Sequence, residues 1–143
     1  MIARALGIAW ELPQTILGAA AYALFRGLGR ITRTEIEDGR VVSEIEGDGA
    51  VSLGYFVFFS RHDGAWVPVG TENRRHEMGH ARQSRMLGPL YLGVVGVPSV
   101  MRVLYARRFR ERTGRRWAHY YDGFPENWAD RLGGVDRRQR PDP

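Results

Sequence analysis

The stretch Arg75-His76-Glu77-Met78-Gly79-His80 places two histidines four residues apart, with a glutamate directly after the first. On an α-helix, residues i and i+4 lie one turn apart on the same face, so both imidazoles reach one ion. Glu77 points about a quarter-turn away, where it polarises a metal-bound water rather than binding the metal itself. The stretch therefore predicts a metal-binding helix.

The residues around this stretch also have helical spacing. At about 100° per residue, one narrow stripe holds His76, His80, Gln83 and Leu87, and the opposite side holds Arg74, Met78, Arg82 and Arg85. A helix whose arginines face water turns the other stripe inward. Histidines and a glutamine in the interior need a polar or metallic partner. Two surface histidines on an ordinary helix are the alternative interpretation.

Composition limits the classes of protein to which the chain belongs. Its 143 residues suffice for one domain with a modest core, which we assign to residues 1–134. The absence of cysteine excludes disulfides, thiolate metal sites and a cysteine nucleophile. All 21 basic residues are arginine, the net charge is +5, and seven arginines lie from Arg102 to Arg116. Two interpretations of that arginine cluster are open, a solvated face and a contact for an anionic membrane surface. Nucleic acid is not expected as a partner, because no nucleic-acid-binding motif accompanies the cluster.

Two segments are strongly apolar. Residues 1–29 predict an apolar N-terminal helix, running from about 13 to 28, which is about 15 residues and short of the about 20 that span a bilayer. A core helix and a membrane-embedded or interfacial helix both fit, and a cleaved signal peptide is not expected. Glycines and a proline in residues 90–105 favour a buried connector or a re-entrant piece. The location is cytoplasmic or at the membrane, and residues 135–143 read as a disordered tail.

Strand patterns lie between the first apolar segment and the histidine motif. Residues 31–37 and 41–46 alternate around a tight turn at Asp38-Gly39, which predicts a hairpin. Residues 55–60 predict a buried strand, and residues 66–69 a short returning strand. The fold class is therefore α+β: a small twisted antiparallel sheet, the histidine-bearing helix packed on it, and a second helix that carries a further ligand.

The second informative stretch is Phe124-Pro125-Glu126-Asn127-Trp128-Ala129-Asp130. Pro125 at the start of a helix places Glu126 and Asp130 one turn apart on one face. A catalytic zinc site takes three protein ligands and water, so a carboxylate from a later helix completes the histidine pair. An acid four residues further on accepts a ligand histidine's spare N–H. Solvated carboxylates are the ordinary alternative, and Asp122 and His119 compete for the third position.

These two motifs together resemble the gluzincin branch of the zincin metallopeptidases, the thermolysin-like clan. Members of that clan carry HExxH on one helix and E-x-x-[SA]-D on the next. The resemblance implies that His76, His80 and Glu126 bind zinc, that Glu77 is the general base, and that Asp130 holds a ligand histidine. It covers two short motifs, and gluzincin peptidases are typically much larger. Residues 80–92 also resemble a group of small uncharacterised bacterial proteins, which implies no activity.

The sequence therefore predicts a zinc-dependent hydrolase, most simply a metallopeptidase that cleaves a peptide or protein substrate. His119, or one of the neighbouring Tyr120 and Tyr121, is the candidate donor to the oxyanion. Two alternatives stay open. One is an inactive zincin-like domain with a structural metal or a peptide-binding cleft, and the other is a membrane-associated scaffold.

Overall fold

The computed structural model describes residues 7–62 and 72–137. The helices and strands, in chain order, are α1 (Leu12–Gly27), β1 (Ile31–Glu37), β2 (Arg40–Ile45), β3 (Ala50–Leu53), β4 (Phe56–Phe59), α2 (Asn73–Leu87), α3 (Val97–Thr113) and α4 (Glu126–Gly133). Short 3₁₀ turns cover Gly88–Leu90 and Ala118–Tyr121, and a π-helical turn covers Leu92–Gly96. The α+β class is confirmed; the strand predicted at residues 66–69 lies outside the described residues.

The four strands form one sheet in the order β1-β2-β4-β3. The predicted hairpin is confirmed: β1 and β2 pair antiparallel around Asp38 (φ 49°) and Gly39 (φ 76°), the left-handed pair that a two-residue turn requires. The expectation of an antiparallel sheet was wrong, because β2 and β4 pair in parallel. After β2 the chain crosses to β3, which forms one edge of the sheet. The β3–β4 hairpin then places β4 between β3 and β2, and β4 runs parallel to β2.

Strand β4 is apolar at every position because both of its faces are covered. Val57 and Phe59 pack with Val42, Met78 and Ala81 on the side of α2. On the other side, Phe58 meets Phe25 of α1 edge to face, with ring centroids 5.2 Å apart. The sheet is therefore a central layer between α1 and α2.

A buried ion pair joins the N-terminal region to the sheet and to α2. The Arg40 guanidinium on β2 lies 3.1 Å from Glu11, directly before α1, and both side chains are 2% exposed. Arg40 also donates to the Ala81 carbonyl oxygen at 2.8 Å, and the Ser84 hydroxyl donates to Glu11. These bonds satisfy a charge pair whose burial is otherwise costly. Gln14 and Gly18 of α1 are also buried, so one side of this helix packs in the interior of the protein.

The second apolar segment is helical rather than irregular. Pro98, which has no N–H to donate, lies where the π-helical turn Leu92–Gly96 passes directly into α3. The expectation of a buried connector was wrong for most of its length: Tyr91 and Val95 are buried, but Leu90 and Met101 are 66% and 64% exposed. Among the described residues, no helix is long and apolar enough to cross a membrane.

The first residues of the segment predicted to be a disordered tail form hydrogen bonds with α4. Val135 N donates to the Asp130 carbonyl oxygen at 2.9 Å. The Arg137 guanidinium binds both carboxylate oxygens of Asp130. Residues 135–137 are therefore packed against α4, and residues 138–143 lie outside the described part of the chain.

Candidate metal centre

Three side chains from two helices meet at one point. His76 and His80 lie on successive turns of α2, with ring centroids 4.7 Å apart. Glu126, the first residue of α4, places Oε2 2.9 Å from His76 Nε2 and 3.1 Å from His80 Nε2. All three residues are buried, and one ligand atom from each lies within 4.8 Å of the others. The helix begins one residue after Pro125, so the carboxylate sits at its start as the sequence predicted.

The other nitrogen of each histidine has an oxygen partner. His76 Nδ1 lies 2.7 Å from Asp130 Oδ1, and His80 Nδ1 lies 2.7 Å from Gln83 Oε1. The Gln83 amide donates its N–H to the Pro125 carbonyl oxygen at 3.1 Å, which leaves its oxygen facing His80. Because a carboxylate or amide oxygen only accepts, each Nδ1 carries the proton, and in the neutral ring each Nε2 has a lone pair.

Those two lone pairs point towards a third acceptor, the Glu126 carboxylate. Two neutral imidazole acceptors and a carboxylate repel each other at about 3 Å unless protons or a cation lie between them. The electrostatics of the cluster agree. Burial raises the pKa of Glu126, but the bonds to His76 and His80 outweigh it and hold that pKa far below its usual range. Burial lowers the pKa of His76, and the bonds to Asp130 and Glu126 outweigh it, so that pKa is raised. The space between the two histidine Nε2 atoms and the Glu126 carboxylate therefore favours a proton or a cation.

The donor set and spacing suit zinc. Two imidazole nitrogens and one carboxylate oxygen are a ligand set of catalytic zinc sites. Ligand atoms about 2.0–2.1 Å from a tetrahedral zinc lie about 3.3 Å from each other. The two distances from Glu126 Oε2, 2.9 Å and 3.1 Å, are close to that value. A small expansion of the cluster therefore accommodates the ion.

Glu77 faces the same cavity and differs from the other acids of the site. It is 5% exposed, and its Oε2 atom is buried without a hydrogen-bond partner. Burial raises the pKa of Glu77 to about 7. A carboxylate poised near neutral pH, with one oxygen free, is suited to accept and return a proton.

Close packing of two helices brings Glu126 to the histidines. A Cβ at Gly79, between the histidines, would overlap the carbonyl oxygen of Ala129 on α4, and a Cβ at Gly133 would overlap that of Arg75 on α2. Glycine at both positions lets the helix backbones touch. The short approach places Glu126 and Asp130 against the inner face of α2.

A cavity of about 580 Å³ opens beside the three candidate ligands. Its walls include β3, the start of α3, and the side chains of Glu77, Tyr91, Tyr120 and Tyr121. Ser99 at its edge donates from Oγ to Glu126 Oε1 at 2.6 Å. Burial raises the pKa of Tyr120 and of Tyr121 well above the usual range, so both phenols stay protonated as donors. The cavity therefore combines mainly apolar walls with a few polar groups at one end.

His119 and Asp122 lie away from this cluster. His119 Nδ1 contacts Asp122 Oδ2 at 2.6 Å, and the two side chains are 75% and 68% exposed. Neither residue lines the cavity. His119 therefore lies outside the cavity, whereas its neighbours Tyr120 and Tyr121 line it.

Sequence reasoning did not find two residues of the site. Ser99 lies in the apolar segment, where a single hydroxyl carries no recognisable signal. Arg137, which binds both carboxylate oxygens of Asp130, was assigned to the tail. The clustered arginines at the end of the chain offered no way to choose it.

Comparison with protein-family models, with curated proteins and with solved structures finds no match for this chain. The resemblance to the gluzincins therefore stays a prediction, based on two motifs and on the positions of the five side chains that those motifs contain.

Proposed function

We propose that this protein is a zinc-dependent hydrolase, and most simply a metallopeptidase. His76, His80 and Glu126 hold the zinc, and Glu77 is the general base. The observation that carries the proposal is the meeting of two histidine lone pairs and a carboxylate beside a cavity where Glu77 Oε2 has no partner. This is the arrangement that the gluzincin resemblance implies.

In the proposed mechanism, a zinc ion held by His76, His80 and Glu126 would supply Lewis-acid chemistry, which would lower the pKa of a water molecule and polarise a carbonyl group. Glu77 Oε2 accepts the proton of the attacking water and later donates it to the leaving amine. Asp130 and Gln83 fix the tautomers of the two histidines, so that neither ring turns away. The protonated phenols of Tyr120 and Tyr121 are the donors available to the oxyanion.

A peptide substrate is favoured by the position of strand β3. Among the described residues, β3 pairs only with β4, so no second strand lies against its other edge, although the Tyr91 hydroxyl donates to the Ser52 carbonyl oxygen of this strand at 3.0 Å. The residues of β3 line the cavity next to the candidate ligands. An extended peptide adds to such an edge through backbone hydrogen bonds. The scissile bond of a peptide bound there lies within reach of Glu77.

A purely structural metal suits the site less well. Structural zinc sites are closed by four protein ligands. Here three candidate ligands lie together, the fourth direction opens to a cavity of about 580 Å³, and a buried glutamate with a free oxygen faces that opening.

The test is elemental analysis of protein purified without chelators, followed by hydrolysis of a casein-derived peptide mixture. We expect stoichiometric zinc in the wild type, loss of zinc in His76→Ala and Glu126→Ala, and retained zinc with lost hydrolysis in Glu77→Gln. His62→Ala is the matched control, because that histidine is exposed and outside the cluster. A wild-type protein that binds no divalent metal at micromolar affinity would refute the proposal.

A further inference from the structure

The outward side of α1 has no polar cover. Leu12, Ile16, Leu17 and Leu24, with Leu28 just after the helix, are between 46% and 62% exposed. Arg26 is the only charged residue of α1. A surface helix of a water-soluble protein carries charged and polar residues on the side opposite its core stripe. This helix instead packs on the sheet with one side and presents hydrocarbon with the other.

The helical stretch from residue 90 to 105 has the same property. Its outward side carries Leu90, Val94, Val97, Val100, Met101, Leu104 and Tyr105, which are between 42% and 66% exposed. The buried Ala106 marks the inner side of α3, against Tyr120 and Tyr121. No charge appears on the outward side until Arg107.

The two segments that carry these exposed side chains are linked near Gly88 through buried residues. Gln14 of α1 donates to the Gly88 carbonyl oxygen at 2.9 Å, and Trp10 packs so closely on Gly88 that a Cβ there would overlap the indole. We call the outward residues of α1 and of stretch 90–105 the apolar face. Isolated exposed apolar side chains are ordinary, but a concentration of them on two linked helical segments marks an interaction site.

Arginines border the apolar face. Arg108 and Arg112 follow Leu104 and Tyr105 along the outward side of α3, are exposed, and form no ion pair with any residue that the structure describes. Arg26 lies at the end of α1. Arg102, by contrast, is engaged with the carbonyl oxygens of His119 and Tyr120, so it does not belong to this border.

We propose that the protein docks on an anionic lipid bilayer through the apolar face, with the bordering arginines at the headgroups. A second copy of the chain is the less suitable occupant, because pairing through this face brings arginines against arginines in a protein of net charge +5. Anionic headgroups supply the complementary charge, and the acyl region accepts the apolar side chains. The proposal does not depend on the metal or on catalysis.

The docked protein lies in the interface and does not cross it. The 16 residues of α1 span about 24 Å, less than the about 30 Å of a hydrocarbon core. The inner side of α1 is bound to a sheet with open edges, and such edges do not enter hydrocarbon. One leaflet therefore receives the side chains of the apolar face.

Docking also sets the position of the cavity. Val97, Val100 and Met101 belong to the apolar face and line the cavity beside the candidate ligands. The proposed docking therefore places this wall of the cavity next to the lipid surface.

The first test is flotation of the full chain with vesicles of phosphatidylcholine, or of phosphatidylcholine and phosphatidylglycerol in equal parts. We expect binding to the anionic vesicles, weakened about 10- to 100-fold by Leu104→Glu or Ile16→Glu. Ile36→Glu is the matched control and has no effect, because Ile36 is 64% exposed on the far edge strand β1. Arg108→Glu lowers binding to anionic vesicles about fivefold or more, and high salt does the same.

The second test uses milder substitutions, so that a folding defect cannot explain the result. The chain has no cysteine, so a nitroxide attached to a single introduced cysteine, Val100→Cys or Leu24→Cys, labels that position alone. With anionic vesicles, these labels gain contact with oxygen and lose contact with a water-soluble nickel complex, whereas a label at Ile36→Cys stays in water. Labels at Val100→Cys and Leu24→Cys that stay as water-accessible with vesicles as without them would overturn the proposal. A dimer that Leu104→Glu dissociates, without any vesicle binding, would also overturn it and assign the face to a second copy.

Discussion

Gly79→Ala tests how closely α2 and α4 approach at the candidate metal centre. The added methyl group would overlap the carbonyl oxygen of Ala129, a backbone atom that cannot rotate aside. Overpacking of this kind costs about 1–3 kcal/mol, and the contact with backbone puts the cost at the upper end. Alanine gains about 1 kcal/mol over glycine in a helix interior. The net loss in unfolding free energy is therefore about 1–2 kcal/mol.

The same substitution acts on the metal. Relief of the overlap requires α4 to move away from α2, and α4 carries both Glu126 and Asp130. Glu126 Oε2 now lies 2.9 Å and 3.1 Å from the two histidine nitrogens, so a shift of about 1 Å takes it out of ligand range. We expect zinc affinity to fall by more than the about 10–100-fold that the loss of a ligand's hydrogen-bonding partner causes.

Denaturant unfolding and zinc competition with a chromophoric chelator measure the two effects. Gly27→Ala is the matched control, since a Cβ at that helical glycine meets nothing within 4 Å. It leaves zinc affinity unchanged and does not lower stability. If Gly79→Ala matched the wild type in both measurements, the helices would not touch as described and the placement of Glu126 would be wrong.

Three further predictions follow from the site. Asp130→Asn leaves His76 with a weaker hydrogen-bond acceptor, so we expect zinc affinity, measured by chelator competition, to fall about 10–100-fold. A fall in zinc affinity as large as that of Glu126→Ala would instead make Asp130 a ligand. Burial raises the pKa of Glu77 to about 7 from 4.5, so its stabilising contribution is complete below pH 4.5 and is lost as pH rises through 7. In chelator-treated protein, unfolding free energy should therefore fall about 3 kcal/mol more between pH 4.5 and 8 in the wild type than in Glu77→Gln; equal falls would contradict the burial of that charge. His119→Ala changes neither zinc content nor hydrolysis, because the side chain is 75% exposed, and a clear loss of hydrolysis would return His119 to the site.

The sequence by itself determined the features that depend on local geometry. One helical turn sets the spacing of His76 and His80, and it sets that of Glu126 and Asp130 in the same way. Asp38-Gly39 specifies a two-residue hairpin because both residues tolerate positive φ. An uninterrupted apolar run such as Phe56–Phe59 indicates a strand that is covered on both faces.

Tertiary structure alone decided which of these pieces meet. The parallel pairing of β2 with β4 depends on where the β3–β4 hairpin folds back, and side-chain alternation is the same in either direction. The contact of Arg137 with Asp130 and the exposure of His119 also depend on the path of the chain through space. Apolar composition predicted a helix for the first segment and a buried connector or re-entrant piece for residues 90–105, without indicating that one side of each faces outward. Periodicity indicates burial only where polar residues mark the opposite side.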